Sequence, residues 1–172
     1  MDKATAKEIS VGLVLLTNIP SMGGFVAILQ RRGEFNHEKM CPESWRGACQ
    51  VTVHGKLNHG ENFIPGLLRE VSEEIGNIRI LDTSNQLIVL TRKETREKIT
   101  VTFGTVIDCS ELKNIRLNAS TGGLEFVTRN KIADIKNLAT CFKKDELVPA
   151  DVMAMFPDEI EALNLAFEKL CL

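Results

Sequence analysis

The sequence has no tyrosine, one tryptophan and only 5% aromatic residues, and its cysteines form no C-x-x-C pair. The five cysteines are odd in number and widely scattered, and no spacing of His and Cys is typical of a structural zinc site. These absences argue against a fold held by disulfides or by zinc. A reducing, intracellular compartment fits such cysteines best, and we expect the protein to be cytoplasmic.

Long apolar runs and an excess of one charge are also missing. No apolar run approaches the roughly 20 residues needed to span a bilayer. The short run at 9–16 follows two acidic residues and lacks a small-residue cleavage site, so we do not interpret it as a signal peptide. Lys and Arg number 21 against 23 Asp and Glu, and this balance disfavours a nucleic acid polymer as partner. We expect neither a membrane nor a nucleic acid partner.

The length of 172 residues and the 44% hydrophobic content are typical of one domain, spanning 1–172. Runs rich in β-branched and apolar residues predict strands, and helical spacing of apolar residues predicts helices. The predicted strands lie at 8–17, 24–31, 48–53, within 78–92 and 97–108, and at 124–128. A small helix is predicted near 131–138, and a longer helix at 157–171 closes the chain. This mixture predicts an α/β sandwich built around a mixed β-sheet.

A further helix is predicted at 62–75, where apolar residues recur at spacings of three and four. Pro65 suits the first turn of this helix. Gly76 follows the last apolar residue of the pattern, so we expect a left-handed cap there.

Three glutamates, Glu70, Glu73 and Glu74, occupy positions i, i+3 and i+4 of this helix, so their carboxylates share one face. Like charges so close together repel one another, and hard divalent cations with oxygen ligands are the natural way to neutralise them. Arg69 can pair with Glu73 four residues later. The alternative is an ordinary solvated acidic face, which is by itself the more common case.

The surroundings of the three glutamates favour the metal-binding interpretation. Gly55 is followed after five residues by Glu61 and, after seven more, by the run REVSEEIG at 69–76. The segment 55–77 resembles the Nudix box, G-x5-E-x7-R-E-U-x-E-E-x-G-U, in which U is a bulky aliphatic residue. Every charged and glycine position is filled, and only Asn77 departs from the pattern. The order of the flanking strands agrees with the Nudix fold, an α/β/α sandwich.

The resemblance implies a role for each matching residue. The metal ligands would be the three carboxylates together with a main-chain carbonyl near Gly55, and Glu70 is also a candidate base. Glu61 would join the outer part of the metal site, and Arg69 would orient the acidic residues through salt bridges.

By the same resemblance, the chain would be an enzyme that uses Mg²⁺ or Mn²⁺ to hydrolyse a phosphoanhydride bond. Its substrate would be a small-molecule nucleoside diphosphate derivative. Nucleoside triphosphates, ADP-ribose, dinucleotide polyphosphates and nucleotide sugars all remain open as substrates. A homodimer is compatible with the family, although the sequence shows no dedicated interface.

Three residues outside the box are weaker candidates, each with a structural alternative. His54 stands where many Nudix proteins have a glycine of the W-x-x-P-G-G segment, and it could contact a phosphate or be a structural histidine. Trp45 could stack on a base or anchor its loop. Glu125 could be the distal acid that many relatives use as base or extra ligand, or a surface glutamate.

Two other functions compete with hydrolysis. A catalytically inactive module could keep the fold to sense a nucleotide, but loss of a box glutamate would favour that reading and none is lost. An isomerase of isopentenyl diphosphate belongs to the wider fold, but its box is altered where this one is nearly complete.

Overall fold

The structure is a computed structural model that describes residues 6–80 and 86–171. The strands are β1 (Glu8–Ile19), β2 (Gly24–Arg32), β3 (Phe35–Asn36), β4 (Cys41–Pro42), β5 (Cys49–Gln50), β6 (Val53–Lys56), β7 (Ile88–Glu94), β8 (Lys98–Ile107), β9 (Thr121–Thr128), β10 (Lys136–Asn137) and β11 (Ala154–Met155). The helices are α1 (Phe63–Ile75), α2 (Leu138–Cys141) and α3 (Pro157–Leu170), with short 3-10 turns at Pro20–Met22, Cys109–Asn114 and Arg129–Asp134.

Strand β1 lies at the centre of a seven-stranded mixed sheet. It runs antiparallel to β2 on one side and parallel to β8 on the other. Strand β7 continues the sheet beyond β8, and β9 pairs with β2. The first part of β1 also pairs with β6. The predicted mixed sheet is therefore confirmed.

Both faces of β1 are covered by a helix. Leu13 and Leu15 pack on one face with residues of α1 such as Leu67. Val14 packs on the other face with residues of α3 such as Phe167. Burial on both faces explains why the strand is almost continuously apolar instead of alternating with polar residues. The arrangement is an α/β/α sandwich, as the sequence predicts.

The predicted strand at 48–53 is divided between two partners. Its first part, β5, pairs with β2, and the chain then crosses to β1 as β6. Thr52 lies at the crossing and is completely buried. Its hydroxyl accepts a hydrogen bond from the amide of Leu15 and donates one to the carbonyl of Ile28. These two bonds replace the main-chain hydrogen bonds between β1 and β2 where the two strands diverge. This crossing brings β6 alongside the acidic helix.

Other boundaries also differ from the predictions. The stretch predicted at 78–92 becomes a strand only from Ile88, and residues 81–85 lie outside those described. The helix predicted near 131–138 is a 3-10 turn followed by the short β10 and α2. Among the described residues, no helix is long and apolar enough to cross a membrane.

Helix α1 ends at Ile75 without the predicted left-handed cap. Gly76 has a positive φ of 84°, but its ψ of −167° is extended instead of helical. The last carbonyl of the helix, on Ile75, accepts the amide of Arg116 at 2.8 Å. A tertiary contact thus replaces the local hydrogen bonds that a left-handed cap would supply.

Glu159 is a buried carboxyl in the first turn of α3. Its Oε1 accepts the amide of Val51 at 3.2 Å, whereas Oε2 has no hydrogen-bond partner among the described residues. Burial raises the pKa of Glu159 from 4.5 to about 7, against the opposing effect of the Arg32 charge. Between about pH 4.5 and pH 7, Glu159 therefore keeps its proton in the folded protein but loses it in the unfolded chain.

We expect this carboxyl to make the protein less stable as the pH rises. Because the folded pKa lies above the unfolded one, the stabilising proton is present below about pH 4.5 and is lost by about pH 7. Glu159→Gln should remove this loss. As the pH rises from about 4.5 to about 7, the free energy of unfolding of the variant should therefore increase relative to that of the natural protein, by a few kcal/mol at most. Urea unfolding from pH 5 to 8 measures the gain, with Glu168→Gln on the exposed face of α3 as the control. Parallel pH curves for the natural protein and Glu159→Gln would contradict the buried titration.

Candidate active site

A cleft of about 600 Å³ opens beside the acidic helix. Its walls come from three parts of the chain: the polar face of α1, the segment 54–59 and Glu38 from the loop between β3 and β4. The opposite face of α1 packs into the core through Leu67 and Val71, which fixes the direction in which the polar face points.

The structure brings Glu70, Glu73 and Glu74 together in this cleft, at different depths. Glu70 is 7% exposed and Glu74 is half-buried, whereas Glu73 is open to solvent. The i, i+3, i+4 spacing thus gives a row of carboxylates that descends from the surface into the interior.

Glu70 lies directly against the main chain of Gly55. A Cβ atom on Gly55 would overlap the carboxyl group of Glu70. The φ of Gly55 is not positive, so glycine is required here for close approach and not for an unusual backbone conformation. Burial raises the pKa of Glu70, with Arg69 opposing the effect and the charges of Glu73 and Glu38 adding to it.

Arg69 links the acidic residues around the cleft. Its Nε and Nη2 donate to the two carboxylate oxygens of Glu61 at 3.0 and 2.8 Å. Its Nη1 donates to Glu70 at 2.8 Å and to Glu73 at 3.1 Å, and Nη2 also reaches the carbonyl of Lys56 at 3.1 Å. The hydrogen bonds from Arg69, helped by the amide of Asn58, lower the pKa of Glu61 to about 2. Glu61 therefore anchors the guanidinium as a permanent anion.

Glu74 is held from the side of the sheet. Its Oε2 accepts Nε2 of Gln30 at 2.8 Å and the amide of His54 at 3.3 Å. Burial raises the pKa of Glu74 to about 8, with the His54 amide opposing it and the charge of Glu70 adding to it. The low solvation of this carboxylate means that a cation placed beside it would be strongly favoured.

The sequence analysis missed two residues: Gln30, which bonds to Glu74 from the sheet, and Glu38, which lines the cleft. Gln30 lies on β2, and the sequence analysis assigned it only to a predicted core strand. A single amide side chain within an apolar run could have indicated a specific role. Glu38 lies in an irregular loop, and nothing in the local sequence indicates that it lines the cleft.

His54 reaches the site through its main chain. It pairs with Gly12 of β1, next to Gly55. Because successive side chains alternate between the faces of a strand, the half-buried ring of His54 points away from the face that Gly55 turns to Glu70. Burial lowers its pKa to about 4, helped by the charges of Lys98 and Arg32. The ring is therefore uncharged at neutral pH.

The structure places Trp45 and Glu125 outside the cleft, each against a partner of its own. Trp45 packs edge-on against Phe156, with ring centroids 5.3 Å apart, in a third apolar cluster. Glu125 forms an ion pair with Arg31. Arg31 is buried and also donates to three carbonyls: those of Gly47, Ala150 and Val152. Both residues thus hold loops in place.

The chemistry of the cleft fits a hard divalent cation. Its donors are carboxylates beside the main chain of Gly55, and burial, which raises the pKa values of Glu70 and Glu74, leaves both carboxylates poorly solvated. Over residues 6–80 and 86–171, no three acidic, His or Cys side chains converge into a ready-made ligand set. Arg69 engages Glu70 and Glu73 instead, so binding requires these two carboxylates to turn from Arg69 to the cation.

Comparison with known proteins gives a fold but no closer relative. No protein-family model and no curated protein matches the sequence. Among solved structures, a MutT/nudix family protein from Enterococcus faecalis superposes with a TM-score of 0.64 at 15% identity, over 98% of this chain and 64% of that one. This chain therefore spans less than two thirds of the Enterococcus protein.

Two further structures agree over nearly their whole length. The NUDIX domain of Shewanella oneidensis NrtR, solved in complex with ADP ribose, gives a TM-score of 0.63 at 14% identity, over 98% of this chain and 92% of that one. A mutT/nudix family protein from Listeria innocua gives 0.63 at 16% identity, over 95% and 94%. The chain has the fold of the MutT/Nudix proteins, which confirms the predicted fold class.

Proposed function

We propose that this chain is a Nudix hydrolase that uses Mg²⁺ or Mn²⁺ to cleave a phosphoanhydride bond in a nucleoside diphosphate linked to another group. The observation that carries the proposal is the row formed by Glu70, Glu73 and Glu74, which lines one cleft on a Nudix fold. Each matches a carboxylate of the box, so both the motif and the geometry support the same chemistry.

In this proposal, Glu70, Glu73 and Glu74 hold the cation, with a main-chain carbonyl near Gly55 as a further ligand. Glu61 belongs to the outer part of the site, because both of its oxygens are already engaged by Arg69. The bound cation would screen the diphosphate charge and lower the cost of forming hydroxide from water.

Arg69 positions the carboxylates for this role. Its two hydrogen bonds to Glu61 fix the guanidinium plane, so Arg69 stays in place when Glu70 and Glu73 turn towards a cation. It then carries positive charge at the edge of the cleft, where a phosphate would be attracted.

The proton of the attacking water needs an acceptor within the cleft. Glu70 is the candidate for this role because its carboxyl lies inside the cleft, against the main chain of Gly55. In-line attack on one phosphorus would then release two phosphate-bearing fragments, such as a nucleotide and a phosphorylated group.

The first test is a substrate panel. The purified protein is incubated with nucleoside triphosphates, ADP-ribose, dinucleotide polyphosphates and nucleotide sugars, each with Mg²⁺, with Mn²⁺ and with a chelator, and products are identified by chromatography. ADP-ribose belongs in the panel because the Shewanella NUDIX domain was solved with it. We expect metal-dependent cleavage of one class. Metal-dependent binding without turnover of any compound would contradict the proposal and favour a nucleotide sensor.

A further inference from the structure

Gln30 is a buried amide in the middle of the sheet that contacts the acidic helix. It is 2% exposed and lies on β2, between Gln50 of β5 and Leu124 of β9. A polar side chain in such a position is costly unless its hydrogen bonds are made. The assigned roles of the box residues leave this side chain without a function.

The hydrogen bonds of Gln30 allow only one orientation of its amide. Nε2 donates to the carbonyl of Thr52 at 2.6 Å and to Oε2 of Glu74 at 2.8 Å, which uses both of its hydrogens. Oε1 accepts the hydroxyl of Thr121 at 2.8 Å. A flipped amide would place its oxygen against a carbonyl and a carboxylate, neither of which can donate when Glu74 is ionised. The donor is therefore locked towards Glu74.

This orientation determines how Glu74 presents its carboxylate. Within the described part of the chain, both hydrogen bonds of Glu74 go to Oε2, from Gln30 and from the amide of His54. Oε1 is left for a ligand in the cleft. Two rigid donors on one oxygen fix the rotation of the carboxylate before a cation arrives, and such preorganisation increases affinity.

We propose that Gln30 is a positioning residue that holds Glu74 with Oε1 towards the cleft and thereby tunes the affinity for the divalent cation. The inference deepens the proposed function and rests on it, because it takes Glu74 as a metal ligand. A purely structural Gln30 would fill the sheet and satisfy Thr52 and Thr121 without affecting metal affinity.

The test measures Mn²⁺ binding directly, in the absence of nucleotide. The electron paramagnetic resonance signal of free Mn²⁺ reports how much of the ion is bound. Gln30→Met keeps the length of the side chain but has no N–H donor. We expect its Kd for Mn²⁺ to rise about 10- to 100-fold, as for other partners that orient metal ligands. Thr121→Val is the matched control: it removes a bond to Gln30 from the other side, so it should lower stability while leaving the Kd nearly unchanged.

A double variant and a measurement on the natural protein separate the remaining explanations. In a Glu74→Gln background, Gln30→Met should have no further effect on the Kd, because the residue acts through Glu74. Nuclear magnetic resonance of the natural protein avoids any variant that fails to fold: the side-chain amide signals of Gln30 should shift during a Mg²⁺ titration. An unchanged Kd in folded Gln30→Met, or unshifted signals at saturating Mg²⁺, would overturn the proposal.

The outcomes for Gln30 can be distinguished from those for the proposed function. If the natural protein binds Mn²⁺ but hydrolyses nothing in the panel, hydrolysis is contradicted, and the Kd comparison still decides the role of Gln30. If the natural protein binds no Mn²⁺, the metal site is contradicted and the positioning role falls with it.

Discussion

Replacing Glu74 or Glu73 by Gln is expected to lower turnover at saturating Mg²⁺ by at least about 100-fold, since even partners that only orient metal ligands are worth 10- to 100-fold. Folding should be little affected. Glu73 is exposed and its ion pair with Arg69 contributes about 1 kcal/mol or less. Glu74 lies in a poorly solvated position that already favours its uncharged form, so an uncharged amide there costs little stability. Steady-state kinetics and urea unfolding measure the two effects.

The matched control is Glu168→Gln, the same chemical change on the exposed face of α3. It should leave both turnover and stability unchanged. Thermal unfolding with and without Mg²⁺ adds a reading that does not depend on the substrate: the cation should raise the melting temperature of the natural protein more than that of Glu74→Gln. Natural turnover in both Glu73→Gln and Glu74→Gln at saturating Mg²⁺ would exclude these residues as ligands.

Gly55→Ala is the second substitution with a large expected effect. The backbone of Gly55 suits alanine, but the added Cβ would overlap the carboxyl of Glu70. Overpacking of this kind costs about 1–3 kcal/mol of stability. Because Glu70 must move, turnover should also fall about 100-fold, as expected when a reacting group is displaced by about 1 Å. Urea unfolding and steady-state kinetics again provide the measurements.

A double-mutant cycle tests the cause of the Gly55→Ala effect. In a Glu70→Ala background the colliding carboxyl is gone, so adding Gly55→Ala should cost much less stability than it does in the natural protein. An equal cost in both backgrounds would show that the alanine disturbs β6 itself and not Glu70.

The acidic helix was predictable because its information is local. Apolar residues at spacings of three and four define α1, and the same periodicity places Glu70, Glu73 and Glu74 on its polar face. Arg69 is within reach of Glu73 by the i, i+4 rule. None of these relations depends on another part of the chain. The strands at 8–17 and 24–31 were predictable for a similar reason, since a strand buried on both faces is marked by its continuous apolar run.

The site candidates that the structure places outside the cleft are those whose position depends on distant partners. Glu125 was expected near the cleft, but the register of β9 against β2 places it beside Arg31, with which it forms an ion pair. Trp45 could equally have stacked on a ligand, and only the approach of Phe156, more than a hundred residues later, shows that it anchors its loop. Sequence spacing carries no information about such tertiary contacts.

The sequence by itself determined the fold class, the acidic helix and the order of the box residues, because helix and strand periodicities and the motif are read along the chain. The tertiary structure decided how these carboxylates are held. The crossing at Thr52 brings β6 beside α1, Gly55 leaves room for the carboxyl of Glu70, and Gln30 contacts Glu74, 44 residues later in the sequence. These contacts join separate elements of the fold, and sheet register and packing, which no local pattern encodes, determine them.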